Sequence, residues 1–174
     1  MSAPVAAARV AVLYTSVFEA IRNVKEEIRE DMDLAVSAKA VSDALRSRGY
    51  DATPLVFGKE PGDLVAALRA SGADAVFNLS ECPQLSPEKE LHACALLELL
   101  RIPYTGNGPL TLGICNSKAL TKQLLIANGI PTPRFRLLAA EPAEEPGLAY
   151  PLVVKPANED GSAGITEDSI VSDL

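Results

Sequence analysis

A lysine followed by small residues is the stretch of this sequence with the clearest chemical meaning. Lys155 ends an apolar run, 151–154, that is typical of a buried strand. From residue 165 the apolar pattern returns, which predicts the second strand of a hairpin. Because small residues leave backbone N–H groups open and a lysine supplies countercharge, we expect the intervening loop to close over phosphates. The alternative is an ordinary hairpin that ends in a lysine. The small residues of the loop are Gly161, Ser162, Ala163 and Gly164.

A second lysine stands where a phosphate would stabilise it. Residues 117–128 predict a helix with Ser117 as its N-cap and Lys118 in its first turn. The helix dipole disfavours a cation at that end. A bound phosphate would remove the conflict, because the lysine and the free N–H groups could both point at it. A solvated surface lysine is the alternative interpretation.

Polar residues also follow the third predicted strand, 74–79. Asn78, Ser80 and Glu81 stand at its carboxyl end, and ligands bind at this edge of a parallel sheet. Asn78 and Glu81 are therefore candidate substrate contacts. In the alternative interpretation, Asn78 and Ser80 only satisfy backbone groups of the turn.

The elements that position these residues alternate between strand and helix. This alternation predicts an α/β fold, a Rossmann-like parallel sheet with right-handed crossovers. Segment 19–31 could be a solvated helix or an ordered flap. No GxGxxG follows the first strand, which disfavours a dinucleotide-binding domain. The predicted strands are Arg9–Thr15, 52–57 and 74–79, and the predicted helices are 34–48, 61–70 and 88–100.

The second part of the chain begins, by prediction, after a stiff connector. A short fourth strand is expected at 102–107. Pro131 and Pro133 each fix their own φ and favour an extended predecessor, so we place a domain boundary between residues 130 and 131. Residues 1–130 then form one domain and 131–174 the start of a second, whose first strand is predicted at 134–138.

Composition excludes several classes of function. The chain has 174 residues, of which 48% are apolar, and a net charge of −7 without a basic cluster, so nucleic-acid binding is not expected. No apolar run is long enough for a membrane span, and the N-terminus lacks the pattern of a secretion signal. Cys82, Cys94 and Cys115 are widely spaced, and the last two fall in apolar contexts that predict buried thiols. These features favour the cytoplasm.

Three stretches of the sequence resemble the D-alanine–D-alanine ligase branch of the ATP-grasp superfamily. They read VFNLSE, then ELHACALLELLRIPYTGNGPLTLGICNSKALTKQLLIANGIPTPRF, then YPLVVKPANEDGSAGI, and together they cover about 78–165. The resemblance implies a pre-ATP-grasp domain followed by the first strands of an ATP-grasp domain. It also implies an ATP-dependent carboxylate–amine ligase that works through an acyl phosphate, with Mg²⁺ as a second cofactor.

The resemblance assigns roles to particular residues. Lys118 matches the family lysine that reaches the ATP phosphates, and Lys155 matches the lysine that contacts the α- and β-phosphates. The stretch from Glu159 to Gly164 matches the glycine-rich loop that folds over the phosphates, with Ser162 as a hydroxyl or N–H contact. An amino acid or a peptide is the implied substrate, and a homodimer through the first domain is the implied assembly.

The sequence departs from the D-alanine ligases in two places. YTSVFEAIRN replaces their GGxSxE-like stretch after the first strand, and Gly161 replaces a serine. The resemblance therefore implies ligase chemistry without specifying D-alanine. The family's adenine-hinge residues, acyl-phosphate arginine and Mg²⁺ ligands would fall beyond Leu174, so we expect the chain alone to be inactive and to bind ATP weakly or not at all. The alternative is a stand-alone binding or regulatory module derived from the ligase N-terminal domain.

Overall fold

A computed structural model describes residues 7–15, 34–58, 60–81, 90–139, 147–159 and 164–173 of the chain. The chain divides into two compact units, residues 1–109 and 110–174, and each is taken by itself. Segment 19–31, with its alternatives of helix or flap, lies outside the described residues, as does Cys82. Within the described ranges, no helix is both long and apolar enough to cross a membrane.

The first unit is built on a parallel sheet with its most apolar strand in the centre. The strand order is β2-β1-β3, and all three strands are parallel. β1 is the central strand because its residues are apolar on both faces, and Val12 and Leu13 are fully buried. Pro54 lies in β2, which is an edge strand of the described sheet, and edge strands are where proline is tolerated. The strands are β1 (Arg9–Thr15), β2 (Asp51–Phe57) and β3 (Ala75–Leu79).

The described part of this unit also contains three helices, which confirm the predicted α/β alternation. The core joins the sheet to the second and third of these helices, and burial of each large side chain contributes roughly 1.5–3 kcal/mol. Gly72 ends α2 at φ 57, in the left-handed region. The helices are α1 (Leu34–Ser47), α2 (Pro61–Ser71) and α3 (Glu90–Leu99). The core side chains include Leu13, Leu64, Leu68, Val76 and Leu97.

The predicted fourth strand at 102–107 is wrong, because the chain pairs with β3 at one position only. The Val76 N–H donates to the Pro103 carbonyl oxygen at 2.8 Å, and the Thr105 N–H donates to the Val76 carbonyl oxygen at 3.0 Å. At the next rung the Asn78 N–H donates to the Thr105 hydroxyl at 3.0 Å instead of to a backbone carbonyl. Gly106, at φ 102, then turns the chain away.

The described residues of the second unit form two α-helices and one short antiparallel ladder. Ser117 caps α5 as predicted, since its hydroxyl accepts from the Leu120 N–H at 3.3 Å. Helix α4 occupies a stretch for which no element was predicted. The Val154 N–H donates to the Ser169 carbonyl oxygen at 2.8 Å, next to the ladder. The elements are α4 (Pro109–Asn116), α5 (Lys118–Ala127), β4 (Leu152–Val153) and β5 (Ile170–Val171).

Two strand predictions for this unit are corrected. Residues 131–138, all of them described, contain no strand, although 134–138 was predicted as one. The returning strand of the hairpin begins at Ile170 rather than at residue 165. A 3₁₀ turn at Glu167–Ser169 precedes it, because the Thr166 N–H donates to the Ser169 hydroxyl and the Ser169 N–H donates to the Thr166 carbonyl oxygen, both at 3.0 Å.

Packing divides the chain earlier than the prolines of the connector suggested. The compact units meet at residues 109 and 110, so that α5 groups with the residues that follow it. Contacts such as the hydrogen bond from the Lys118 N–H to the Ala157 carbonyl oxygen, 3.0 Å, explain this grouping. The boundary between residues 130 and 131 as a domain limit stays a prediction.

Candidate functional site

The start of helix α5 is where the structure joins two of the predicted site residues. The Lys118 N–H donates to the Ala157 carbonyl oxygen at 3.0 Å, and the Lys118 Nζ atom donates to the Glu159 carbonyl oxygen. The predicted conflict between a cation and the helix dipole is thus relieved here by carbonyl oxygens of the loop. Lys118 therefore forms one local structure with the beginning of residues 157–164, the loop that we predict to bind phosphate and call the phosphate loop.

The far end of the phosphate loop returns to the residue that precedes it. Gly164 has φ +71, and a Cβ atom built on it would lie 3.0 Å from the Pro156 Cγ atom. Both the left-handed backbone and this close approach require glycine. The loop is therefore anchored at Glu159 and at Gly164. The three small residues between these anchors, Gly161, Ser162 and Ala163, lie outside the described residues.

Lys155 is exposed and lies on a backbone segment that is held on both sides. On one side the Val154 N–H donates to the Ser169 carbonyl oxygen, and on the other Pro156 packs against Gly164. Lys155 precedes Ala157 by two residues, so their Cα atoms are at most ~7 Å apart. The chain therefore keeps the exposed Lys155 near the loop segment that Lys118 binds.

In the first unit, Asn78 uses its side chain inside the turn. Its Oδ1 atom accepts from the Ser80 N–H at 3.1 Å and from the Ser80 hydroxyl at 2.6 Å. Its Nδ2 atom donates to the Cys94 sulfur at 3.3 Å. These bonds agree with the alternative in which Asn78 and Ser80 satisfy the turn. A substrate contact at Asn78 stays a prediction.

Glu81 is held through its backbone by a residue that the sequence analysis missed. The Thr15 hydroxyl donates to the Glu81 carbonyl oxygen at 2.5 Å and accepts from the Glu81 N–H at 3.2 Å. Thr15 is only 5% exposed, whereas Glu81 is exposed. The link presents the Glu81 side chain at the carboxyl edge of the sheet. The sequence did contain a signal for Thr15, because this residue ends β1, the strand that pairs with β3.

The two cysteines that the structure describes differ in exposure, since Cys94 is buried and Cys115 is exposed. Burial is the main cause that raises the pKa of the Cys94 thiol, and the nearby Glu90 carboxylate raises it further. This thiol therefore stays protonated and is a poor nucleophile. The prediction that Cys115 is buried is wrong, because it is exposed on α4.

A tyrosine–glutamate pair fixes the segment that follows α3. The Tyr104 hydroxyl donates to Glu98 Oε1 at 2.9 Å. Burial and this hydrogen bond raise the pKa of Tyr104 to about 12. The sequence analysis missed this pair, since nothing in the local pattern marks it.

The donors that the second unit provides suit phosphate rather than a metal. Lys118 is an ammonium donor at a helix N-terminus, and Lys155 is an exposed one close in sequence to a loop of small residues. Among the residues that the structure describes, no three His, Cys, Asp or Glu side chains converge as a metal site would require.

Comparisons with known proteins give sequence relatives for about three quarters of the chain. No family model matches it. It is 38% identical over 135 residues to D-alanine–D-alanine ligase from Cupriavidus metallidurans, a match that covers 76% of this chain and 39% of that ligase. The D-alanine–D-alanine ligase of Gluconobacter oxydans is 34% identical over 131 residues, 75% of this chain and 42% of that ligase.

Solved structures agree with these relatives. D-alanine–D-alanine ligase from Bacillus anthracis matches with a TM-score of 0.72 and 26% identity, over 97% of this chain and 50% of that one. The same enzyme complexed with ATP matches with a TM-score of 0.68 and 26% identity, over 96% and 51%. The chain thus spans about two fifths of the length of these curated relatives. In sequence and in structure, the chain is therefore similar to the N-terminal part of D-alanine–D-alanine ligases, as its motifs predicted.

Proposed function

We propose that the chain is the N-terminal part of an ATP-dependent carboxylate–amine ligase that acts through an acyl phosphate. The relatives are named as ligases, and one of the similar structures is a complex with ATP. The single observation that carries the proposal is local. Lys118, at the start of α5, binds the loop that follows Lys155. Two cations and a loop of small residues are what a triphosphate needs from a protein.

In the proposed reaction, a carboxylate oxygen of the first substrate attacks the γ-phosphorus of ATP, and ADP leaves. The amine nitrogen of the second substrate then attacks the carbonyl carbon of the acyl phosphate, and inorganic phosphate leaves as the amide forms. Lys118 and Lys155 provide positive charge for the transferred and leaving oxygens, and Glu159 and Gly164 hold the ends of the loop. Electrostatic stabilisation of this kind is most of what a protein contributes to phosphoryl transfer.

The Mg²⁺ that accompanies ATP in such reactions binds carboxylate oxygens and substrate phosphates. The described residues contain no convergent acidic group for it. We therefore assign no metal ligand among the described residues, and Lys118 and Lys155 act on the nucleotide phosphates.

For the substrates we propose an amino acid or a peptide at the carboxyl edge of the first unit. Glu81 is exposed there on a backbone fixed by Thr15, and its carboxylate suits an ammonium group. Asn78 lies at the same edge but already has partners for its amide. A cytoplasmic location and a homodimer through the first unit complete the proposal, and they rest on the resemblance and on the sequence features given above.

The test is turnover in the complete protein. ADP release is measured with mixtures of amino acids and dipeptides, and hydroxylamine is added to trap the acyl phosphate as a hydroxamate. We expect Lys155→Ala to lower turnover about 100-fold, by analogy with the loss of one transition-state donor.

Lys39→Ala is the matched control, because Lys39 is an exposed lysine of α1 that pairs with Asp43 on the same helix. Its turnover should equal that of the wild type. Full turnover in Lys155→Ala would show that the lysine is structural. A complete protein that binds ATP without releasing ADP for any carboxylate would favour the binding module over the ligase.

A further inference from the structure

Lys122, one helical turn beyond the first lysine of α5, makes three contacts that the proposed function does not use. Its Nζ atom donates to the Thr132 hydroxyl at 2.8 Å and to the Pro133 carbonyl oxygen at 2.7 Å. The same atom lies 5.3 Å from the centroid of the Phe135 ring, within the range of a cation–π interaction. All three partners belong to residues 130–135, which we call the connector. We call this set of contacts the Lys122 clamp.

The clamp replaces hydrogen bonds that the connector cannot make for itself. Pro131 and Pro133 have no N–H groups, so this stretch cannot form a regular ladder. The Pro133 carbonyl oxygen takes its donor from helix α5 instead. Lys122 in turn uses two of its three N–H donors on the connector, and its charge is stabilised by the Phe135 ring. The ammonium group is thus engaged within the protein.

The same helix face also supports the phosphate loop. Lys118 and Lys122 are four residues apart, so they lie on one face of α5, about 6 Å apart along its axis. Lys118 binds the carbonyl oxygens of Ala157 and Glu159. Helix α5 is therefore a common support on which the connector and the loop are fixed one turn apart.

We propose that Lys122 is a positioning residue, which holds the connector on α5 and thereby keeps the contact between Lys118 and the loop in the geometry that phosphate binding requires. Lys122 itself does not touch the nucleotide. The inference rests on the proposed function for its ligand, ATP, whereas the clamp is argued from contacts within the second unit alone.

The first test needs no ligand. Hydrogen exchange of the full chain compares the wild type with Lys122→Met, which keeps the length of the side chain and removes the charge. We expect the connector amide of Ile130, which donates to the Leu125 carbonyl oxygen at 2.9 Å, to exchange ~10-fold faster or more. Hydrogen bonds to a charged group, such as those of Lys122, are worth at least that factor in a local opening equilibrium. The amide of Lys118, which donates to the Ala157 carbonyl oxygen at the start of the loop, should also exchange faster, because the loop shares this support.

Two variants make the exchange result specific. Lys122→Arg keeps the charge, the donors and the ring contact, and it should restore slow exchange. Gln123→Met places the same side chain at the next, exposed position of α5 and should leave exchange unchanged. Equal exchange in the wild type and Lys122→Met would overturn the clamp. Faster exchange confined to the connector would overturn its connection to the loop.

The second test measures the dissociation constant of ATP for the complete protein. We expect ~3–10-fold weaker binding in Lys122→Met and wild-type binding in Lys122→Arg, as for a loss of preorganisation. Lys118→Met should weaken ATP binding without faster exchange in the connector, which separates direct contact from positioning. Unchanged affinity in Lys122→Met, with a loosened connector, would refute the inference. A wild type that does not bind ATP would refute the proposed function, while hydrogen exchange would still decide whether Lys122 positions the loop.

Discussion

Replacement of Gly164 by alanine should destabilise the second unit through two separable effects. The first is the backbone, since φ is +71 and an L-residue in the left-handed region costs ~1–2 kcal/mol. The second is a contact, because the new Cβ atom would lie 3.0 Å from the Pro156 Cγ atom. The proline ring is closed and cannot rotate away, and overpacking of this kind costs ~1–3 kcal/mol. Alanine recovers ~0.4–1 kcal/mol by restricting the unfolded chain.

Gly129→Ala is the matched control for this variant. Gly129 has φ +68, but nothing lies within 4 Å of the position its Cβ would take, so it reports the backbone effect alone. The free energy of unfolding, from urea denaturation followed by circular dichroism, should fall by about 1 kcal/mol in Gly129→Ala and by about 2 kcal/mol or more in Gly164→Ala. In a Pro156→Ala background the difference should vanish. An equal loss in the two single variants would refute the close approach of the loop to Pro156.

Two further predictions concern the first unit. Thr15→Val removes both hydrogen bonds to the Glu81 backbone and should lower the free energy of unfolding by ~1–3 kcal/mol. Thr53→Val, at an exposed position of β2, should change it little, and equal effects of the two variants would contradict the buried link. Tyr104 should titrate at about 12, above the ordinary tyrosine value of 10, so its hydrogen bond contributes stability below pH 10 that is lost as the pH rises through 12. In a pH titration followed by phenolate absorbance, Tyr104→Phe should lack the titration step near pH 12. Loss of a step at lower pH instead would contradict the assignment to Tyr104.

The fold of the first unit could be predicted closely because its elements are decided locally. β1 was predicted at its observed bounds, since seven consecutive residues of largely apolar type suit only a central parallel strand. Helix α2 was delimited by Pro61 at its start and Gly72 past its end, where the structure places both. Periodicity and capping are properties of the local sequence, so no knowledge of the packed structure was needed.

The errors arose where a distant partner decides the structure. Residues 134–138 have the composition of a strand, yet Thr132 and Pro133 just before them are bound by Lys122, ten or more positions earlier in the chain. The backbone hydrogen bond expected next to Thr105 does not form, because the Asn78 N–H donates to the Thr105 hydroxyl instead of to a backbone carbonyl oxygen. Cys115 is exposed although its neighbours are apolar, because the face of α4 that is covered cannot be determined from α4 alone.

Two kinds of sequence argument, residue chemistry and the family resemblance, led to the candidate site. Chemistry alone pointed to Lys118 and Lys155, and the resemblance assigned them to nucleotide phosphates. Neither argument could show that Lys118 binds the loop at Glu159, a pairing across 41 positions. Likewise, Thr15 and Glu81 are 66 positions apart, and only the register of β1 beside β3 brings them together.

The most direct test of the phosphate site is the reactivity of individual lysines in the complete protein. The rate at which each ammonium group is acetylated is measured by mass spectrometry with ATP, with adenosine and without ligand. If Lys118 and Lys155 grip the nucleotide phosphates, ATP should protect both, adenosine should protect neither, and Lys39 should react equally in all three samples. Unchanged reactivity of Lys118 and Lys155 when ATP is bound would contradict the site.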